Sequence, residues 1–427
     1  MNLNKEIKVE YNDLGRSDLE ARVARLARIC QNLEIPVLVM VDGFESAGKG
    51  YVINYLSQDL IPKYFDVDVF EKNEEYDNRF PFEKRFFENV PKKGHIKIFD
   101  RSLYYKLFDD LSLKEKELDK KIKSMEKMEK MLYDDQTIII KFFLNVSKDE
   151  QKKRIEKLKD SNEKSFYLKR NDEEQNKNYK DYQKHFENII EKTDFSFSPW
   201  TVIDSNDLKK ASKEALYQML EALTIGLERV STQRLDNENT ERSYQSNNKI
   251  IENLDLTKTI TEEEYKEKKD KLEKEVRDMM FEYYKRGIST VLVFEGVDAA
   301  GKDGAIERLV KKVDPRLYTV HAISAPTKNE LDHHYLWRFY NKLPEDGYVG
   351  IFSRSWYGRV MVERVEGFAT TYEWDRAYDE MLDRTNVDYA PWIIVEGNQK
   401  YYARIKVMEE YLKRAKKHLK EFDKNNN

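Results

Sequence analysis

The stretch that most constrains this chain is residues 290–310, TVLVFEGVDAAGKDGAIERLV. It opens with a short β-branched apolar run, the pattern of a buried strand. A glycine loop follows, from Gly296 through Asp298 to Gly301 and Lys302, and after it Ile306, Leu309 and Val310 fall on one face of a helix. Strand, loop and helix with the spacing Gly-x4-Gly-Lys fit the P-loop pattern. The glycines let the backbone curl so that several N–H groups point at one anion, and the helix N-terminus adds its dipole. Lys302 brings a full positive charge to a phosphate oxygen. Where that pattern ordinarily has a Ser or Thr metal ligand after the lysine, this chain has Asp303. A metal must therefore be held differently, with Asp298 the first candidate and Asp303 the second.

The same device occurs twice. Ile35–Val41 reads as a strand and runs into Gly43, Gly48 and Lys49. The two copies align without a gap at an offset of 253 residues: Gly43, Gly48 and Lys49 match Gly296, Gly301 and Lys302, Pro62 matches Pro315, and Arg101-Ser102 match Arg354-Ser355. Two similar domains in tandem, 1–230 and 259–427, explain this most simply. The polar connector 231–258 reads as a surface linker.

Within the first copy a Lys/Glu/Met-rich helix leads into a strand at 137–144. A long charged segment (147–178), a helix and a strand beginning at Pro199-Trp200 follow. Strands alternating with helices predict an α/β fold, a parallel sheet flanked by helices. The charged segment reads either as a solvated helical pair or as a lid over a phosphate site. In the second copy, Thr385 and Pro391-Trp392 answer to Thr193 and Pro199-Trp200 at an offset of 192, so 61 residues are missing. They are the counterpart of strand 137–144 and of the charged segment. The second domain should therefore have a narrower sheet, with an unpaired strand edge and an open phosphate site.

At 427 residues the chain is long enough for two or three domains. A net charge of −4 gives no overall basic field for nucleic acid, so a polyanion must be held by local Lys/Arg clusters. A single cysteine, Cys30, argues against a disulfide scaffold and fits the cytoplasm. No apolar run approaches the length of a membrane span, so no membrane partner is expected. Arg354 and Arg359 follow the second strand of the second copy, beyond the C-terminal strand ends where open α/β sheets bind ligands. A planar guanidinium suits phosphate oxygens, and Lys49 to Arg101 and Lys302 to Arg354 are each 52 residues apart. Arg316, after Asp314-Pro315, is a further candidate.

Several stretches of the second copy together resemble the polyphosphate kinase 2 family. They are Gly296-x-Asp298-x-x-Gly301-Lys302-x-Gly304, Ala325-Pro326-Thr327, the run from Phe352 to Val365 with Arg354-Ser355-Trp356-Tyr357-Gly358-Arg359, Ala390-Pro391-Trp392, and Lys400 to Arg404. The tandem arrangement is similar to its two-domain members, polyphosphate:AMP phosphotransferases. The resemblance implies tandem P-loop kinase-like domains of the thymidylate-kinase type and magnesium as cofactor. It also implies transfer of phosphate from inorganic polyphosphate to AMP, giving ADP. Asp298 would hold magnesium and orient the acceptor, with Asp303 as a second metal ligand. Lys302 and the loop at Gly296, Gly301 and Gly304 would bind the transferring phosphate. Arg316, Arg354, Arg359, Lys400 and Arg404 would line the polyphosphate and nucleotide path. Ser353 stands where the family often has Asp or Asn.

The first copy departs at the chemistry: Glu45 replaces the loop aspartate, Lys63 the counterpart of Arg316, Leu103 that of Trp356, and Lys106 that of Arg359. A structural or donor-binding role follows for it. An ATP-dependent nucleoside monophosphate kinase, and a polyphosphate-binding protein inactivated by the missing 61 residues, remain as alternatives. A homo-oligomer is compatible with the sequence.

Overall fold

Five stretches of the first copy rich in β-branched and aromatic residues form strands: β1 (Val37–Gly43), β2 (Phe65–Val69), β3 (Ile96–Asp100), β4 (Ile138–Asn145) and β5 (Trp200–Asp204). The structure, a computed structural model, describes residues 14–71, 73–77, 79–160, 170–239, 249–297, 299–358 and 371–426. The five strands lie parallel in the order β2-β3-β1-β4-β5, with Val37 beside Ile96 on one side and Ile138 on the other. Such a central strand has both faces covered, and the apolar run Val37 to Val41 is accordingly buried throughout. Helices Arg16–Asn32, Lys49–Ser57 and Leu208–Asn239 pack together beside the sheet.

One ion pair is built into this core. Lys141 on β4 meets Glu129 at 3.1 Å, both side chains fully buried. Glu129 also accepts from the Tyr104 and Ser198 hydroxyls, and Lys141 donates to the Thr193 carbonyl at 2.9 Å. Buried charges of this kind persist only when both partners are satisfied.

The second unit has β6 (Thr290–Phe294), β7 (Tyr318–Ala322) and β8 (Val349–Ser353), parallel and ordered β6-β8-β7. That is the order β1-β3-β2 of the first sheet with the β4 and β5 side gone. Among the described residues β6 is therefore an edge strand, and Val291 is 41% exposed where its counterpart Leu38 is 1% exposed. The narrower sheet expected from the 61 missing residues is what forms. The chain beyond the gap keeps its local geometry. Trp392 donates from Nε1 to Thr385 Oγ1 (2.7 Å) and from its backbone to Asn386, as Trp200 does to Thr193 (2.9 Å) and Asp194. No strand follows Trp392, since its neighbour β4 has no counterpart.

The core of this unit lies between helices Glu262–Lys285, Lys302–Leu309 and Lys400–Asn426 and the sheet, around Val276, Met280, Leu309, Ile351 and Met408. Thr261 and Glu264 close a capping box at the start of the first of these helices. Among the described residues no helix is long and apolar enough to cross a membrane.

The connector begins later than its composition suggests. Helix Leu208–Asn239 runs on past residue 231 because Arg229 donates to the carbonyls of Tyr133 and Thr137 (both 2.9 Å) and Arg234 to that of Leu33 (3.0 Å). Nor are the compact units two contiguous halves: residues 73–84 belong with the second unit and 328–334 with the first. In the second unit Asp346 N donates to the Arg79 carbonyl and Lys84 to that of Leu343; in the first, Lys93 N donates to Asp332. These segments occupy matching positions in the two copies, so the exchange is reciprocal.

Candidate active site

The second glycine loop turns out of β6 with Gly296 at φ +148° and Gly301 at φ +87°, backbone that side-chain-bearing residues rarely adopt. Helix Lys302–Leu309 starts directly behind it. The Lys302 ammonium donates to the carbonyls of Gly296 (2.7 Å) and Val297 (2.8 Å). The neighbouring strand β8 ends at Ser353, and Arg354 turns into the left-handed region (φ +65°) with its N–H on the Phe294 carbonyl at 2.9 Å. That turn sets Arg354 at the C-terminal edge of the sheet, beside the loop.

A carboxylate holds the turn. Glu295, immediately before the first loop glycine, accepts from Ser355 N (2.7 Å) and Ser355 Oγ (2.5 Å) through Oε1. Burial raises its pKa, while the Ser355 hydrogen bonds pull it back. Asp42 does the same work in the first copy, accepting from Ser102 N at 3.1 Å, and burial pushes it up to about 6. Sequence reasoning passed over both; the signal was an acidic residue before the first glycine of each loop.

The remaining candidates divide. Asp303 Oδ1 accepts from Ser353 Oγ at 3.1 Å, joining the loop helix to the strand end. The Arg404 guanidinium lies against Gly304, where an added Cβ would stand 3.0 Å from Nη2, so the glycine is what admits it. Lys400 turns to the ring of Tyr401 on its own helix. Arg316 is not brought to the site. It precedes the N-terminal end of β7, at the opposite end of the parallel sheet from the loop, and is held by Asp314 at 2.6 Å with its side chain 87% exposed. The expectation that it lines the phosphate path is corrected by that placement. Asp298 and Arg359 lie outside the described residues.

The first loop repeats the backbone at its glycines, Gly43 at φ +147° and Gly48 at φ +96°, and its carboxylate is paired. Glu45 pairs with Arg101 and stands 3.6 Å from Lys49, so carboxylate and cations offset one another inside the loop. The Glu45 N–H donates to Gln175 Oε1 (2.6 Å), and Ser46 Oγ donates to Asp172 (2.5 Å). Gln151 Nε2 donates to the Glu45 carbonyl, and Arg154 to those of Ser46 and Ala47. Gln151 and Arg154 sit on helix Lys148–Lys159, and Asp172 and Gln175 on helix Arg170–Lys177. The described residues of the charged segment are therefore a helical pair packed on the loop of their own unit, and they take up one loop amide, that of Glu45.

The described residues offer a divalent metal a single carboxylate at the loop rather than a protein cage. Among the described residues no three His, Cys, Asp or Glu side chains form a metal-holding group. A hard divalent cation can bind through one or two carboxylates and complete its shell with water and substrate phosphate. Asp303, at the loop mouth beside Ser353, is a carboxylate so placed.

Comparison with known proteins agrees along most of the chain. The profile described as Polyphosphate kinase 2 (PPK2) matches residues 7–230, 259–380 and 372–423. The second copy is matched in two pieces that meet at 372–380, where the missing segment would stand. A polyphosphate:AMP phosphotransferase of Pseudomonas syringae is 30% identical over 87% of this chain and 88% of its own length. One from Pseudomonas aeruginosa is 29% identical over 94% and 95%. A crystal structure described as a polyphosphate kinase 2 from Pseudomonas aeruginosa superposes with a TM-score of 0.77 at 25% identity, covering 98% of both chains.

Proposed function

We propose that this chain, which belongs to the polyphosphate kinase 2 family, moves a phosphoryl group from inorganic polyphosphate to AMP, giving ADP, and that the loop at Gly296 is where it does so. One contrast carries the assignment of the loop. In the first copy Gln151, Arg154, Asp172 and Gln175 bind the loop at Glu45, Ser46 and Ala47, whereas the segment that carries them has no counterpart in the second copy, where Lys302 is anchored on the Gly296 and Val297 carbonyls. A loop amide already bonded to its own chain is not open to a phosphate.

Phosphoryl transfer asks a protein for positioning and charge stabilisation, with little covalent chemistry of its own. The amides of the Gly296–Gly301 turn and the Lys302 ammonium hold the donor's terminal phosphate. Arg354, fixed by Glu295 through Ser355, faces the transferring group, with Arg359 beyond it in sequence. Arg404, against Gly304, adds positive charge behind the loop helix. Magnesium, held by Asp298 and Asp303, would offset charge on the phosphates when bound. The AMP phosphate oxygen attacks in line, and no protein nucleophile is required. The counterpart of helices Lys148–Lys159 and Arg170–Lys177 is missing from the second copy, so water competes with AMP for the phosphoryl group.

Donor exchange tests this reading. Purified full-length chain is given AMP and magnesium with either polyphosphate or ATP, and ADP is measured. Faster turnover with polyphosphate supports the proposal. Faster turnover with ATP makes the chain a nucleoside monophosphate kinase, and tight polyphosphate binding without turnover makes it a binding protein.

A further inference from the structure

We propose that in the second site the metal-holding carboxylate has moved from the strand end to the loop, so that Asp303 and Ser353 carry, in exchanged positions, the pair of groups that ordinarily holds the cation. The inference deepens the proposed phosphoryl transfer and rests on it for the need of a divalent ion. In common P-loop enzymes a hydroxyl follows the loop lysine and a carboxylate stands at the end of a neighbouring strand, both on magnesium. Here the carboxylate follows Lys302 and the hydroxyl ends β8, and the two are hydrogen-bonded at 3.1 Å.

The duplication supplies an internal comparison. In the first copy Lys49 is followed by Gly50, and β3 ends in Asp100. In the second, Lys302 is followed by Asp303, and β8 ends in Ser353. Each copy keeps one carboxylate in this pair of positions, at opposite members. The strand registers are the same: Asp100 lies beside Val41 as Ser353 lies beside Phe294, matching positions of the two copies. An added Cβ at Gly50 would meet nothing within 4 Å, so the loop position accepts a side chain without rearrangement. A negative charge lost at the strand end is thus replaced one hydrogen bond away. A carboxylate serving merely the helix dipole would explain Asp303 in the first turn. It would not explain why the strand-end carboxylate is lost in the copy that gains it.

The test reads metal directly, with no AMP or polyphosphate present. Mn2+ is titrated into the full-length chain, and the free ion is followed by electron paramagnetic resonance. Asp303→Ser should weaken Mn2+ binding by about ten-fold or more, the scale on which disturbed metal shells act. The reciprocal double variant, Asp303→Ser with Ser353→Asp, should recover most of it, with melting temperatures of both variants unchanged. Wild-type affinity in Asp303→Ser, no recovery in the folded double variant, or no Mn2+ binding by the wild-type chain would each overturn the proposal. ADP formation is measured separately, so a chain that makes ADP but keeps its Mn2+ affinity in Asp303→Ser refutes this inference alone.

Discussion

Lys302 and Lys49 occupy the same position in two copies of one loop, and their replacement by alanine should have opposite consequences. Removing Lys302 takes away a preorganised charge aimed at the transferring phosphate. Loss of one such donor costs about 10²–10³ in turnover, or roughly 2.7–4 kcal/mol. Lys49 lies 3.6 Å from Glu45, with both side chains about nine-tenths buried, and Glu45 keeps Arg101 when Lys49 is gone. Stripping every partner from a buried charge costs about 3–5 kcal/mol. With one of two cations removed, roughly half of that is expected. At about 2–4 °C per kcal/mol, the first unit should melt some 4–8 °C lower. ADP formation at saturating AMP and polyphosphate, assayed well below that transition, should stay within about twofold of wild type. Thermal unfolding and ADP release measured on the same preparations decide it. Equal loss of turnover in both variants, with melting unchanged, would show that the copies share one site and refute the assignment.

Other outcomes follow from particular contacts. Lys141→Met leaves Glu129 charged and buried, which should destabilise the first unit by about 3–5 kcal/mol, while Lys141→Met with Glu129→Leu should recover most of that in denaturant titration. Burial pushes Asp42 up to about 6, and burial together with Asp204 pushes Glu214 up to about 7. An acid raised in the folded state contributes stability that is full below the ordinary carboxylate range and lost as pH rises through 6–7. The first unit should therefore melt lower at pH 8 than at pH 5.5, and Asp42→Asn with Glu214→Gln should flatten that slope. Inserting a segment patterned on residues 129–189 between Asp379 and Met381 should raise AMP phosphorylation more than polyphosphate binding, and lower the share of phosphate released to water.

Much of this was legible in the sequence because a P-loop announces itself by local spacing. The β-branched run before Gly296, the helical spacing after Lys302 and the repeat at 253 residues give strand, loop, helix and tandem copies without tertiary information. The gap after the second copy's Tyr357 likewise foretells the exposed edge at β6. What failed depended on topology or on long-range pairing. Arg316 looked like a phosphate ligand because its neighbours resemble the family, but sequence does not say which end of β7 it occupies. The polar run after Ser231 looked like linker, since the carbonyls that anchor Arg229 and Arg234 lie about a hundred or more residues away in the chain. The exchange of residues 73–84 and 328–334 between units leaves no compositional trace. Glu295 was passed over because its task, holding Ser355, appears only when β6 and β8 are side by side.

The most direct test of the central claim is ADP formation by the purified full-length chain from AMP, polyphosphate and magnesium, with Lys302→Ala as the control. ADP should accumulate with polyphosphate consumed. With the second copy lacking its lid-like segment, the rate should fall below the roughly 1–100 per second usual for kinases, and inorganic phosphate should appear beside ADP. The Lys302→Ala chain should make almost none. An absence of ADP from the wild-type chain under conditions where it binds polyphosphate, or undiminished ADP from Lys302→Ala, would contradict a transferase working at the Gly296 loop.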